Sequence, residues 1–221
     1  MKTHLIMPQS TPATHLLVYF AGWGTPISAV SHLTLPEDYD LLICYDYQDL
    51  QLDFDFSPYC QIRLVAWSMG VWVANQVMSG IPLISAVAVN GTGLPCHDQF
   101  GIPCEIFEGT LTGLNEENRL KFERRICGDK STFSYYQSLP EQRDFQEIHA
   151  ELTALYQMIQ INNTQNILWT RAWISVQDRI FPMENQQAYW QQISIPVQQV
   201  KGAHYVFLSF SHWAELWSSE T

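Results

Sequence analysis

Short, mostly apolar runs recur along this chain and are separated by longer amphipathic segments. The runs are rich in Leu, Ile and Val and do not alternate between apolar and polar positions. Such runs are typical of strands that are buried on both faces of a parallel sheet. We therefore predict strands at residues 14–20, 41–45, 62–66, 84–89, 172–176 and 197–200, with an edge strand at 5–7 and another short segment at 167–169.

Helical patterns occupy much of the chain between these runs. Residues 145–159 carry apolar side chains at 148, 152, 155 and 159, which is the spacing of one helix face. Helices are also predicted at 71–78, 115–126 and 186–192, and an apolar C-terminal helix runs through Trp217. Strands that alternate with helices predict an α/β fold with a mostly parallel sheet and right-handed crossovers.

Residues 94–160 interrupt this alternation, because they contain helical patterns without a strand. We predict that they form a small helical cap, or lid, inserted after the strand near residue 89. Residues 1–93 and 161–221 would then form the α/β core, so that the chain is a single domain with an insertion.

The composition is that of a folded domain with a large core. The chain has 221 residues, 47% of them hydrophobic, and its 8 Trp, 10 Tyr and 11 Phe argue against disorder. A net charge of -11 gives no general attraction to nucleic acid or to an anionic membrane. The sequence has no stretch of 18 apolar residues, and residues 1–8 lack the apolar core of a signal peptide. We predict no nucleic-acid partner and no membrane association.

The cysteines and histidines show no metal-binding spacing. Five cysteines, an odd number, form no Cys-x-x-Cys pair, which favours reduced thiols in a cytoplasmic protein. The seven histidines include no His-x-x-x-His pair, so we predict no metal site.

A serine lies where the third buried strand is predicted to turn into a helix. Residues 66–70 read Ala-Trp-Ser-Met-Gly, which matches the small-x-Ser-x-Gly pattern of a nucleophile elbow. Gly70 and Ala66 are the small residues that this strained turn needs on both sides of Ser68. The turn would lift the hydroxyl of Ser68 above the sheet and leave the N–H of Met69 free to face an oxyanion. The alternative is a tight turn with an incidental serine.

An acid and a base follow later strands. Asp178 follows the run at 172–176, and His204 follows the run at 197–200. A serine hydroxyl is a poor nucleophile unless a neutral His accepts its proton and a carboxylate holds that His. The order Ser68, Asp178, His204 is that of α/β-hydrolases, and the carboxyl ends of parallel strands meet at one edge of the sheet. Taken singly, Asp178 could be a turn residue and His204 a half-buried loop residue.

The loop after the first buried strand is predicted to supply a second oxyanion donor. It reads Ala-Gly-Trp-Gly at 21–24, and Gly22 allows the backbone to come close to a ligand. The N–H of Trp23 is the candidate donor, and its indole would line an acyl pocket. The alternative is that Trp23 is only an aromatic residue of the core or surface.

Four other residues are weaker candidates. Asp46 and Asp49 could be an alternative acid, but they precede the serine, and aspartates are common in turns. His97 lies in what we interpret as a cap loop, and Cys127 ends a helix as a buried thiol.

Basic residues are concentrated in the predicted cap. Five of the eleven lie within twelve positions, and Lys121, Arg124 and Arg125 share one stripe of a helix. In an acidic protein, such a stripe beside the site suggests an anionic substrate or partner. The alternative is a solvated helix face with pairs such as Glu117–Lys121.

These motifs resemble a known family of esterases. Gly-Trp-Gly after the first buried strand, Ala-Trp-Ser-Met-Gly and a small helical cap are similar to those of the pimeloyl-acyl carrier protein methyl ester esterases of biotin synthesis. The short chain and Phe-Ala-Gly-Trp-Gly at 20–24 are most similar to the BioG type. The resemblance covers residues 15–95 and 165–215. The sequence departs from the usual hydrolase pattern at Ala21, where many have His, and at Ala66, where the elbow usually has Gly.

The resemblance implies an α/β-hydrolase that removes the methyl ester from pimeloyl-[acyl-carrier protein] and needs no cofactor. It makes Ser68 the nucleophile, Asp178 the acid and His204 the base. Trp23 and Met69 would give the oxyanion N–H groups, and the acyl chain would run beside the indole toward the cap.

The resemblance also implies roles in the cap. Phe133 and Gln137 belong to a segment that would line the pocket. Lys121, Arg124 and Arg125 would meet the acidic acyl carrier protein, which is the expected partner of a monomeric enzyme.

Two other functions stay open from the sequence. The chain could be another serine esterase or an acyl thioesterase, because the same three residues serve both reactions. It could also be a non-catalytic module that binds a carrier protein through its cap, although the presence of all three triad residues favours an enzyme.

Overall fold

Seven strands form one sheet at the centre of the molecule. The structure is a computed structural model that describes residues 1–8, 13–161 and 167–218. Within these ranges the strand order is β1-β3-β2-β4-β5-β6-β7. The strands are β1 (Lys2–Ile6), β2 (His15–Phe20), β3 (Tyr39–Tyr45), β4 (Gln61–Trp67), β5 (Leu83–Val89), β6 (Arg171–Ser175) and β7 (Val197–Val200).

The sheet is parallel except at one edge. Strands β2 to β7 pair in parallel, and β1 pairs with β3 in the antiparallel direction. Residues 16–20 of β2 are all buried, as expected for a central strand that is covered on both faces. The predicted mostly parallel α/β sheet is confirmed, and so are the predicted strands, each within a few residues.

Among the described residues, six α-helices accompany the sheet. They are α1 (Met69–Val77), α2 (Cys104–Thr112), α3 (Glu116–Cys127), α4 (Lys130–Ser138), α5 (Phe145–Ile161) and α6 (Met183–Gln192). Helix α1 packs on β2 and β4, and α6 packs on β6 and β7. The predicted helices α1, α3, α5 and α6 are confirmed, whereas α2 and α4 lie where the sequence pattern predicted no helix.

Helices α2 to α5 lie between β5 and β6, inside the range predicted to form a cap. Helix α3 packs against α4, and α2 packs against α5. Ile126, Ile148, Leu152 and Leu155 of these helices join the same buried cluster as the strands. Helix α3 begins where the side chain of Asn115 accepts the Asn118 N–H at 2.9 Å. The division into a core at 1–93 and 161–221 and a cap at 94–160 stays a prediction.

The C-terminal segment differs from the prediction. Instead of one helix through Trp217, two short 3₁₀ helices span Phe207–Ser209 and Trp213–Leu216. Between them the chain is extended, because His212 pairs with Thr34 and the Trp213 N–H bonds to the Thr34 carbonyl at 3.1 Å. The aromatic residues Phe207, Phe210 and Trp213 of this segment are buried in the core. Residues 167–169 form no regular element.

Two further properties concern the described residues alone. No helix among them is long and apolar enough to cross a bilayer. They also contain no group of three or more His, Cys, Asp or Glu side chains that could hold a metal ion.

Candidate active site

Ser68 occupies a strained turn between β4 and α1. Its φ of 58° and ψ of -126° lie outside the regions that residues with a side chain normally adopt. The Ser68 N–H donates to the Val89 carbonyl at 2.9 Å, which ties the turn to β5. Gly70 must lack a side chain, because a Cβ there would lie 2.5 Å from the Phe20 carbonyl oxygen. The turn therefore has the geometry of a nucleophile elbow, with Ala66 in place of the usual glycine.

His204 lies between Ser68 and Asp178. Its Nε2 is 2.9 Å from the Ser68 Oγ, and its Nδ1 is 2.8 Å from Asp178 Oδ2. The acidic acceptor at Nδ1 favours the tautomer whose Nε2 can accept the serine proton. All three side chains are buried and come from loops at the carboxyl ends of β4, β6 and β7.

The carboxylate of Asp178 is held by groups that the sequence pattern did not indicate. Its Oδ1 accepts the N–H groups of Ile180 and Phe181 at 2.8 and 3.1 Å. Its Oδ2 accepts the amide Nε2 of the fully buried Gln186 at 3.1 Å. The ring of Phe181 stacks in parallel on the imidazole of His204, with 6.0 Å between centroids. These contacts fix the direction in which the carboxylate faces the imidazole.

The backbone of His204 is fixed as well. Its carbonyl accepts the Trp67 indole N–H at 3.1 Å and the Asn90 amide at 2.8 Å. Asn90 also exchanges hydrogen bonds with Ser175 at 2.7 Å. Asn90 follows β5 at the same edge of the sheet, and this position is the one sequence signal that could have identified it.

The loop at 22–24 lies beside Ser68. A Cβ on Gly22 would be 3.3 Å from the Ser68 Cβ and 2.9 Å from a ring carbon of Trp67, so only glycine fits. The indole of Trp23 donates to the Ile148 carbonyl of α5 at 2.8 Å. Within the described part of the chain, the backbone N–H groups of Trp23 and Met69 donate to no protein acceptor. Both are therefore available to a bound oxyanion.

A narrow, mainly apolar cavity leads to the Ser68 hydroxyl. Its walls come from the loop at 22–24, from the elbow, from helices α2, α3 and α5 and from the loop after β6. Arg125 and Arg179 are the two charged groups beside the apolar walls. The apolar lining comprises Trp23, Trp67, Met69, Ile102, Ile106, Phe107, Phe122, Ile126, Leu152 and Ile180.

Two predicted pocket residues of the cap lie elsewhere. Phe133 and Gln137 are not among the residues that line this cavity. The Phe133 ring lies 5.2 Å from the guanidinium carbon of Arg124, and Gln137 donates to Glu123 at 2.6 Å. The prediction for these two residues is therefore corrected, because their side chains contact α3 and do not reach the cavity.

Three of the four basic residues of α3, Lys121, Arg124 and Arg125, are exposed but have different surroundings. Lys121 pairs with Glu117 at 2.6 Å, as the solvated-face alternative expects. Arg124 lies over the Phe133 ring, whereas Arg125 lines the cavity. The stripe thus reaches the entrance of the site through Arg125.

The weaker candidates lie away from the triad. Asp46 pairs with Lys2 and Arg143, and Asp49 pairs with the N-terminal amine, so neither carboxylate is the partner of His204. His97 stacks on Phe100 in a loop. The thiol of Cys127 is buried, as predicted, and all five cysteines are free.

Known proteins share both the sequence and the fold of this chain. The family model for the pimeloyl-ACP methyl esterase BioG matches residues 1–216. The crystal structure of BioG from Haemophilus influenzae is 60% identical, with a TM-score of 0.94 over 99% of this chain and 100% of that chain. A malonyl-[acyl-carrier protein] O-methyltransferase from Bacteroides fragilis is 43% identical over 192 residues, which are 86% of this chain but only 39% of that longer protein.

A distant structure shows the breadth of the fold. A lipase-esterase related protein from Clostridium acetobutylicum is 15% identical, with a TM-score of 0.65 over 92% of this chain and 93% of that chain. The chain has the α/β-hydrolase fold, as the sequence predicted.

Proposed function

The chain belongs to the BioG family of pimeloyl-ACP methyl esterases, and on this premise we propose that it hydrolyses the methyl ester of pimeloyl-[acyl-carrier protein] by serine chemistry. The products would be methanol and a carrier-bound acid for biotin synthesis. The observation that carries the serine mechanism is the hydrogen-bonded line from Ser68 through His204 to Asp178, at 2.9 and 2.8 Å.

The first half of the reaction forms an acyl-enzyme. The Ser68 Oγ attacks the ester carbonyl while its proton passes to His204 Nε2, and Asp178 stabilises the charged imidazolium. The N–H groups of Trp23 and Met69 stabilise the negative charge that develops on the carbonyl oxygen. His204 then protonates the leaving methoxide, so that methanol departs and Ser68 stays acylated.

The second half releases the acid. Water loses a proton to His204 and attacks the acyl-enzyme through the same oxyanion arrangement. The carbon–oxygen bond to Ser68 breaks, and His204 returns the proton to the serine. The step needs no cofactor, because every proton that moves is held by Ser68, His204 or water.

The cavity suits an acyl chain whose methyl ester lies at the end farthest from the carrier protein. Its apolar lining can cover methylene groups, and Arg125 and Arg179 supply positive charge beside that lining. The related Bacteroides fragilis protein adds support for a carrier-bound methyl ester, because its name describes methylation of an acyl-carrier protein substrate. Such a reaction forms the bond that this chain would break.

We further propose that Lys121, Arg124 and Arg125 dock the acidic carrier protein, and that the chain works as a monomer in the cytoplasm. Positive charge beside the entrance of the cavity would speed the encounter with an acidic partner. The five free cysteines agree with a reducing compartment. Light scattering of the purified chain would reveal a dimer.

The decisive assay uses pimeloyl-[acyl-carrier protein] methyl ester and follows the mass of the carrier over time. We expect the wild type to remove the methyl group and Ser68→Ala to lose at least about 10³-fold in kcat while it keeps its fold. Ser28→Ala, which removes another buried hydroxyl, should stay within about threefold of wild type.

Other outcomes separate the alternatives. Release of the free carrier instead of methanol would identify a thioesterase. Hydrolysis of simple esters alone would retain the triad but contradict the biotin role. Activity of the Ser68→Ala variant would contradict the serine mechanism itself, and binding of the carrier without turnover would indicate a non-catalytic module.

A further inference from the structure

One buried carboxylate connects the cap to the loop at 22–24. Glu151 is fully buried in the middle of α5, on the same face as Ile148 and Leu155. Its Oε2 accepts the backbone N–H of Gly24 at 3.1 Å, and its Oε1 accepts the backbone N–H of Tyr47 at 3.1 Å. A side chain of the cap thus bonds directly to the residue that follows Trp23.

Arg143 keeps this carboxylate in place. Its Nη1 donates to Glu151 Oε2, and its Nη2 lies 2.8 Å from Asp46 Oδ1. All three side chains are buried. Burial raises the pKa of Glu151, and the Arg143 charge and the two backbone N–H groups act against that rise.

The same loop is held at two more points. The Trp23 indole donates to the Ile148 carbonyl, one turn before Glu151 on α5. On the opposite side of the loop, Gly22 packs against Trp67 and Ser68. The peptide between Gly22 and Trp23 therefore lies between the elbow on one side and α5 on the other.

Packing alone does not explain a carboxylate at this position. Removing two charges from water costs several kcal/mol for each ion, and an apolar side chain of similar volume would usually pack α5 as well or better. An apolar side chain would, however, leave the Gly24 and Tyr47 N–H groups covered and unsatisfied, at about 1–3 kcal/mol each. The carboxylate of Glu151 accepts hydrogen bonds from the loops at Gly24 and Tyr47, and an apolar side chain could not accept them.

We propose that Glu151, held by Arg143, is a positioning residue that orients the loop at 22–24 so that the Trp23 N–H faces the oxyanion. The inference rests on the proposed serine mechanism. The bond to the Gly24 N–H holds the peptide after the Trp23 α-carbon, and the indole bond holds the side chain. With Gly22 packed against Trp67 and Ser68 on the other side, these contacts together fix the direction of the Trp23 N–H. Glu151 acts through this loop and does not touch the substrate.

The test compares Glu151→Gln with wild type on p-nitrophenyl acetate and on the carrier-bound methyl ester. A glutamine has nearly the same shape but replaces one acceptor oxygen by an N–H₂ donor. Loss of a whole oxyanion donor costs about 10²–10³ in kcat, so a displaced donor should cost about 10- to 100-fold. We expect this loss in kcat on both esters, with KM within about threefold.

A transition-state readout separates positioning from a purely structural role. A short-chain trifluoromethyl ketone forms a tetrahedral adduct with the serine and places an oxyanion in the same site. Its inhibition constant should rise in Glu151→Gln by about the same factor as kcat/KM falls. A variant that is merely less stable would bind the ketone normally in its folded fraction.

Glu123→Gln is the matched control. Glu123 is also a buried cap carboxylate paired with an arginine, Arg119, at 2.9 Å, but it accepts no hydrogen bond from the loop at 22–24. It should keep kcat within about threefold of wild type. Equal losses in both variants, or full kcat in Glu151→Gln, would overturn the positioning role.

A second variant covers the case in which Glu151→Gln does not fold. Arg143→Lys keeps a cation beside Glu151 but cannot contact Glu151 and Asp46 through a planar fork. It should lower kcat on p-nitrophenyl acetate by about three- to tenfold at constant KM, and wild-type kcat would overturn the proposal. A wild type that hydrolyses no ester would instead refute the proposed function, so the two failures are distinguishable.

Discussion

At the scale of single residues, the backbone around Ser68 depends on which neighbours lack a side chain. Ser68 has a positive φ, and the helix behind it can approach β2 only because Gly70 has no Cβ. The two departures from the usual hydrolase pattern are accommodated. Ala66 is fully buried inside β4, and the Ala21 carbonyl accepts the Tyr47 hydroxyl at 2.8 Å.

Gly70→Ala should therefore disturb both the fold and the site. The added methyl group would lie 2.5 and 2.6 Å from the carbonyl oxygens of Phe20 and Ala21, which belong to backbone that cannot move freely. We expect a loss of about 1–3 kcal/mol in the free energy of unfolding, together with a lower kcat because the elbow shifts. Urea denaturation and p-nitrophenyl acetate hydrolysis measure the two effects. Gly109→Ala is the control, since a Cβ there meets no atom within 4 Å.

The sequence was sufficient for Ser68, Asp178 and His204 as candidates, because each follows a strand of a parallel sheet. It was not sufficient for Gln186, whose contact with Asp178 depends on how α6 turns back on its own loop. Glu151 did leave a signal, since it is an acidic residue on the apolar face of the predicted helix at 145–159. Its partners could not be foreseen, because they are backbone N–H groups more than 100 positions away in the chain.

At the scale of elements, the strongly periodic or strongly apolar segments were predictable, and the weakly patterned ones were not. Helix α2 has only nine residues, buries Phe107 alone and contains Gly109, so its apolar pattern is too short to identify from the sequence. Helix α4 is rich in Ser, Thr and Tyr and begins at Asp129, whose side chain accepts the N–H groups of Ser131 and Thr132. That capping pattern was the available signal for α4. The predicted C-terminal helix does not form, because the Ser211 carbonyl and the Trp213 N–H form hydrogen bonds with the backbone of Thr34 instead.

The basic face of α3 gives a prediction at this scale. Changing Lys121, Arg124 and Arg125 together to Glu should lower kcat/KM for the carrier-bound ester by about tenfold or more, since opposite charges speed association. The effect should weaken as salt is added, because mobile ions screen exposed charges. Hydrolysis of p-nitrophenyl acetate should stay within about threefold.

The control is Lys130→Glu, which changes an exposed charge of α4, outside α3. An equal loss on both substrates in the triple variant would indicate damage to the fold. No loss on either substrate would remove the docking role.

At the scale of the whole molecule, a charge cluster joins strand β1, the loop after β3 and helix α5. Lys2 of β1 lies 2.9 Å from Asp46 and from Glu147 of α5, and Arg143 extends the cluster to Glu151. Burial acts to raise the pKa of Asp46, but hydrogen bonds from Lys2 and Gln48 and the charge of Arg143 outweigh burial and hold this pKa below its usual value.

This shift predicts part of the acid sensitivity of the fold. A carboxylate whose pKa is lower in the folded state contributes stability above its unfolded pKa of 3.8 and loses it as pH falls through the folded value. Asp46→Asn lacks this contribution, so its unfolding free energy should change less steeply below about pH 4 than that of wild type. Urea denaturation at a series of pH values measures the slopes. Asp53→Asn, at an exposed position, should follow wild type, and parallel curves for Asp46→Asn would contradict the assignment.

The pairing of β2 with β4 has a consequence for how the site can vary. Phe20 of β2 is in register with Ala66 of β4. Trp23 follows Phe20 by three residues, and Met69 follows Ala66 by three residues. Neighbouring strands lie about 4.8 Å apart, which suits two N–H groups that each approach one oxygen to about 2.9 Å. The separation of the two proposed donors would then be inherited from the spacing of the strands, whereas the Trp23 indole and Glu151 would set only the direction of one donor N–H. Substitution of Met69 should accordingly be better tolerated than the insertion or deletion of one residue in either connection, since a change of length would leave one donor out of reach.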